Sequence, residues 1–233
     1  MTTALDQRLL TLLTSAADGK PPAGAPGGVE VVARPSGPSS AVTVLSGYAV
    51  VAADIRPGWV FDHLPPGFDE ADEHHPALSV AFLGALAARL GTPPSGLSVL
   101  LGAPAAEVGG RPGRLVELDE HPGAWSDYRT DVRSYRYLGG GGSVTVSIGR
   151  GPAGRWDAWV APTGSVGLER GTPGVEGASS DGPLDVVRGL VPPDNPVFAA
   201  VPSASATALV HALAVGFQPL GAEVLFHHEG QDE

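Results

Sequence analysis

Residues 196–226, PVFAAVPSASATALVHALAVGFQPLGAEVLF, read as strand, helix, strand. Val197, Phe198, Ala199, Ala200 and Val201 form a short apolar run that Pro202 and Ser203 interrupt. Ser203 or Ser205 then caps a helix whose apolar residues Ala206, Leu209, Val210, Leu213 and Phe217 recur at helical spacing. Gly216 stops that helix, Pro219 and Gly221 turn the chain, and Ala222 to Phe226 form a second β-rich run.

The rest of the chain is long enough to bury a core around this unit. It has 233 residues, 42% of them hydrophobic, while 33 glycines and 23 prolines predict many turns and long loops. A net charge of −11, with Lys20 the only lysine, argues against general nucleic-acid binding, which needs clustered cations. The absence of cysteine removes disulfides, thiolate metal sites and a cysteine nucleophile. The N-terminal segment places Leu5, Leu9, Leu12, Leu13 and Ala16 on one helical face but carries Asp6, Gln7 and Arg8, so it does not read as a signal peptide. No segment is long and apolar enough to span a membrane, and a cytoplasmic protein is expected.

After the Gly/Pro connector 19–28, strands are expected at 29–33, 41–45 and 48–53, the last two joined by a Ser46-Gly47 hairpin turn. A short helix is expected at 57–64 and a longer one from Pro76, with the stripe Leu78, Phe82, Leu83, Leu86 and Leu90 ending at Gly91. A strand follows at 97–101, and the loop 103–113 marks the boundary between residues 1–110 and 111–233. Beyond it, 114–118 reads as a strand. Trp125, Tyr128, Val132 and Tyr135 predict an amphipathic helix over 124–138. Val144, Val146 and Ile148 alternate as a strand whose hairpin partner is 155–161. Weak strand character follows at 166–168, and a short helix at 184–191 precedes the closing unit.

GRGPAGRWDAWV, LVPPDNPVFAAV and AVGFQPLGAEVLF, with GYAVVAADIRPGWVFDHLP and FLGALAARLG in the N-terminal half, are similar to segments of actinobacterial proteins of the GCN5-related N-acetyltransferase (GNAT) superfamily. The resemblance implies an α+β fold: a GNAT-like, mixed and mostly antiparallel sheet flanked by helices in residues 111–233, preceded by an α/β half that is a degenerate GNAT-like subdomain. It implies an N-acyltransferase acting on a small-molecule or peptide amine with acetyl-CoA or another acyl-CoA. Two alternatives stand beside it: a non-catalytic module of this fold that binds a ligand or protein, and an enzyme of this fold with chemistry that does not use CoA. A homodimer is expected from the apolar final strand and the family habit. Nucleic-acid and membrane partners are not expected.

A working site of this type binds pyrophosphate on consecutive backbone N–H groups at a helix N-terminus, through R/Q-x-x-G-x-G/A. Residues 162–183 lack that run. Arg170-Gly171-Thr172-Pro173-Gly174 comes nearest, but Pro173 removes a donor. Ser205 stands where the family commonly has Asn, and Ala212 where many members place a Tyr. The acyl-CoA site is therefore read as weakened or rebuilt. By the same resemblance, the backbone N–H groups of Val160 and Ala161 face the acyl carbonyl.

Among side chains, Asp157 between Trp156 and Trp159 reads either as a base or as an exposed residue on the polar side of an alternating strand. His211 reads either as a ligand-facing group or as an exposed histidine. Tyr128, Tyr135 and Tyr137, with Trp156 and Trp159, line an acceptor cleft or form an aromatic seam in the core. His74-His75 with Asp69, Glu70, Asp72 and Glu73, and His227-His228 with Glu229, lack spacing that fixes tetrahedral geometry. They read as solvated loop and tail, and no metal is expected. Ser203 and Ser205 have no identifiable triad partners.

Overall fold

The computed structural model describes residues 6–22, 28–66, 75–104, 114–121, 123–139, 142–162, 183–214 and 216–228. Among them ten strands form one open sheet: β1 (Val29–Val32), β2 (Ser39–Leu45), β3 (Tyr48–Ala52), β4 (Ser98–Ala103), β5 (Arg114–Leu118), β6 (Thr130–Gly139), β7 (Gly142–Arg150), β8 (Trp156–Pro162), β9 (Val197–Pro202) and β10 (Gln218–His227). Their order is β1-β3-β2-β10-β4-β9-β8-β7-β6-β5. All neighbours are antiparallel except β1/β3 and β8/β9. The fold is thus α+β, with a large, mostly antiparallel sheet.

Helices cover both faces. On one, α1 (Asp6–Ala17) buries Leu9, Leu12, Leu13 and Ala16 against Leu45, Leu100 and Phe198. On the other, α2 (Pro57–His63) and α3 (Val80–Leu90) pack Val60, Phe82 and Leu86 onto Val42, Val44, Val224 and Phe226. Farther along the same face, α5 (Pro183–Leu190) and α6 (Ala206–Ala214) cover β4, β8 and β9. Burial on both sides explains why β2 is enclosed along its whole length and why its sequence does not alternate.

Several local expectations hold. Ser46 and Gly47 have φ of 49° and 82°, the positive values a tight hairpin between right-twisted strands requires. Gly91 ends α3 in the left-handed region, at φ 72°. Pro76, however, opens a single 3-10 turn, Pro76–Leu78. The helix proper starts at Val80, where the Ser79 side chain caps it by accepting the Phe82 N–H at 3.2 Å.

The expected helix over 124–138 is corrected. Only Gly123–Ser126 is helical, as the single turn α4, and Thr130–Gly139 is strand β6. Val132, Tyr135 and Tyr137 are good strand formers, and β6 gains two partners, β5 and β7, that a lone helix would forgo. Asp131, at φ 53°, sits in the irregularity where the β6/β7 register shifts between Thr130 and Arg133.

The halves 1–110 and 111–233 do not form separate sheets, because β4 lies between β9 and β10, and β10 lies between β2 and β4. The final strand pairs with β2 over residues 221–227 and with β4 over residues 218–223. The weak strand expected at 166–168 and the Arg170–Gly174 segment lie outside the described residues.

Candidate functional site

Parallel strands β8 and β9 touch only at their starts, where Trp156 pairs with Val197 and Asp157 with Phe198. Beyond that point β8 continues its pairing with β7, and β9 with β4, while the two strands separate. Among the described residues, each then carries backbone N–H and C=O groups on its inner edge without a ladder partner. The opening is a cleft of about 80 Å³, lined by Trp159, Val160, Val201, His211, Ala212 and Phe217 among others, with α6 as one wall. Its described lining is apolar apart from the backbone and His211, its one titratable side chain.

The helix α6 differs from its sequence reading. None of its residues is fully buried, Val210 is 65% exposed and Leu213 40%, while Leu209 and Ala212 pack on the sheet. Spread strands give a helix less surface to lie on, and the inward face becomes the one with Ala208, His211 and Ala212, which line the cleft. Ser205 sits just before α6, its carbonyl accepting the Leu209 N–H at 3.0 Å, and it is not among the described cleft-lining residues. Gly216, at φ 102°, lets the Phe217 N–H reach back to Ala212 O at 3.1 Å, which fixes Phe217 as the floor of the cleft.

Asp157 is neither an exposed strand residue nor a cleft residue. It is completely buried on the α1 face, in a four-membered charged cluster. Arg155 Nε donates to Asp157 Oδ1 at 2.7 Å, while Arg155 Nη1 and Nη2 donate to Glu223 Oε1 and Oε2 at 2.6 and 2.7 Å. Arg129 closes on Asp157 Oδ2 at 2.9 Å, and Thr43 Oγ1 donates to Glu223 at 3.2 Å. Burial opposes the charge on Arg155, but Asp157 and Glu223 outweigh it and hold its pKa above the ordinary arginine value. The guanidinium lies over Phe198, 5.8 Å from the ring centroid, and so bridges β8 to β10 across the two strands between them. Because both Asp157 oxygens are engaged by guanidinium groups, this carboxylate is fixed as a structural counter-ion. Sequence reasoning missed the cluster, although one cue was present: Glu223 stands alone within the apolar run Ala222 to Phe226.

The aromatic candidates scatter. Trp159 lines the cleft. Trp156, 5% exposed, stacks beneath the Arg150 guanidinium at 3.7 Å. Tyr128 lies in the turn after α4, stacked on His227 with ring centroids 3.5 Å apart, far from any helical seam. Tyr135 and Tyr137 occupy β6. Tyr128, Arg150 and Ser39 line a second cavity, of about 210 Å³, around the β7–β8 turn.

Of the four histidines expected in solvent, His75, His227 and His228 are ordered parts of the fold, and His74 lies outside the described residues. His75 is 5% exposed and accepts the Ala77 N–H at Nδ1, 3.1 Å away; desolvation lowers its pKa, against the opposing Gly28 backbone bond. His227 Nδ1 is 2.8 Å from Ser39 Oγ, and His228 Nε2 is 3.0 Å from Ser40 Oγ, on opposite sides of the strand end. Desolvation, then neighbouring Arg129 for His227 and Arg34 for His228, pushes both pKa values down. Among the described residues no group of three or more His, Cys, Asp or Glu is arranged to hold a metal, and no helix is long and apolar enough to cross a membrane. Residues 67–74 and 229–233, which hold the remaining acidic partners, lie outside the described residues.

The fold and cleft define an α+β protein with an opened parallel strand pair. No family model matches the chain, and no curated protein and no solved structure matches it.

Proposed function

We propose that the chain is a GNAT-like N-acyltransferase that takes an acyl group from a CoA thioester to a small-molecule or peptide amine, with its donor site between β8 and β9. One observation carries this reading: the parallel pair that separates after two residues into a cleft walled by a helix. An extended amide-bearing chain fits such a slot, because the unladdered backbone of both strands offers alternating donors and acceptors. The narrow volume suits a linear arm rather than a ring system. One backbone N–H on the open edge of β8, at Val160 or Ala161, would hold the thioester oxygen as it gains negative charge, the other being turned toward β7 in an unbroken register. His211 would take the proton released when the amine nitrogen bonds to the acyl carbon and the carbon–sulfur bond breaks.

A second reading, a non-catalytic binding module, draws support from Asp157, whose enclosure leaves His211 as the only proton-transfer group in the described cleft. Thermal shift with acetyl-CoA and with CoA at about 1 mM separates the readings when paired with turnover on an amine panel. A stabilisation of several degrees that Ala212→Trp abolishes, by filling the cleft, is expected on both. Turnover that His211→Ala lowers by about 10²–10⁴-fold while the shift persists is expected only of the enzyme. No shift with either ligand would remove both forms of a CoA-based reading.

A further inference from the structure

We propose that the cavity around the β7–β8 turn is a binding site for a small oxyanion, a phosphate or carboxylate group, separate from the β8/β9 cleft. The cleft opens beyond Ala158 toward the far end of β8, whereas this cavity surrounds the turn that precedes Trp156. It measures about 210 Å³, enough for the anion and a few further atoms of a polar molecule. Its walls are the Ser36–Ser39 segment, the Tyr128–Thr130 turn and the Arg150–Gly154 hairpin tip, three connections that meet only because β2, β6 and β8 belong to one sheet.

The chemistry of the wall points to an anion. The chain carries 25 acidic against 14 basic residues, yet among the described residues no carboxylate lines the cavity. Among the described residues of the wall, Ser36, Ser39, Tyr128 and Thr130 bring hydroxyl groups, glycines and prolines supply the remaining surface, and Arg150 is the single charge. That arginine is immobilised before any ligand arrives. Its guanidinium stacks on Trp156 at 3.7 Å, and Nη1 donates to Gly154 O at 2.7 Å. Among the described residues no carboxylate comes within ion-pairing distance of it. Asp131 acts on it only at longer range, and desolvation weighs against its charge. Asp157, behind Gly151, is already neutralised by Arg129 and Arg155. A half-buried, oriented cation with no carboxylate of the described residues within ion-pairing distance gains most from an oxyanion that matches its planar fork.

This site does not depend on acyl transfer, and probes without a thioester test it alone. Calorimetry of the full chain with inorganic phosphate and, separately, with malonate is expected to show saturable binding in the millimolar range or tighter. The arm with the larger affinity names the ligand group. Arg150→Gln is expected to weaken binding at least tenfold and Arg150→Lys to retain part of it, because the charge stays while the fork is lost. Arg34→Gln, on an exposed arginine paired with Asp54 outside the cavity, is expected to leave binding unchanged. Trp156 fluorescence gives an independent readout, since a ligand on Arg150 alters the stacked indole. No heat with either anion up to about 20 mM, or binding equal in the wild type and Arg150→Lys, would overturn the proposal.

Discussion

Replacing Glu223 with alanine removes one of two carboxylates from a cluster that is electrically balanced: Arg129 and Arg155 against Asp157 and Glu223. Arg155 would keep Asp157, but two of its five N–H donors would lose their acceptors at 2.6 and 2.7 Å, and Thr43 would lose its own. Water cannot easily substitute, since Arg155 and Glu223 are each only 1% exposed. Breaking a buried ion pair by deleting one partner costs about 3–5 kcal/mol, because an uncompensated charge is stranded in a medium of low polarity. With a urea m-value of about 2 kcal/mol/M, the unfolding midpoint should fall by about 2 M at unchanged m. The double variant Arg155→Met/Glu223→Leu should be more stable than Glu223→Ala, because an apolar pair removes the stranded charge together with its partner. Circular dichroism during urea titration reads both. A loss below about 1 kcal/mol for Glu223→Ala, or a double variant less stable than the single, would refute the view that Arg155 depends on Glu223 for its burial.

Acidification offers a second test. His75, His227 and His228 all have folded pKa values below the unfolded one, so the unfolded chain binds protons first. Stability is therefore full above about pH 7 and declines as the pH falls through 6.5 toward the folded values. A melting temperature that rises between pH 7 and pH 5.5 would contradict this. Ser79→Ala removes the side-chain cap of α3 and should cost about 1 kcal/mol in chemical denaturation, whereas Ser79→Asp should largely preserve stability. Gly221→Ala should be severely destabilising, because its Cβ would collide with Val44 O of β2, beside the point where β10 bulges against β4. A soluble Gly221→Ala variant with wild-type melting would show that the bulge can shift.

Most element positions were legible because their signals are local. The Ser46-Gly47 turn, the Gly91 cap and the stripe of α3 each state their geometry within a few residues, whereas the start of α3 was expected at Pro76 and the Ser79 cap was not read. Over 124–138 the local signal failed, because Trp125, Tyr128, Val132 and Tyr135 satisfy helical spacing while their β-branched and aromatic chemistry equally suits a strand. Pairing with β5 and β7 decided the matter. The site was legible in part. Val160, Trp159 and His211 do line one cleft, but Tyr128 and Trp156 belong to the region of the other cavity, and Asp157 to a buried ion cluster.

By itself the sequence determined the strand, helix, strand order of the closing unit and the stop at Gly216, since periodicity, caps and Gly/Pro stops act over a few residues, but the turn expected at Pro219 and Gly221 is instead a bulge inside β10, which begins at Gln218. It also contained Arg155, Glu223 and Arg150 without stating what they face. Only the tertiary structure placed β4 beside β10, opened β8 from β9 and brought Arg155 to a carboxylate 68 positions away. Strand order and charge pairing depend on contacts between distant segments, and the composition of each segment alone carries no record of its neighbour.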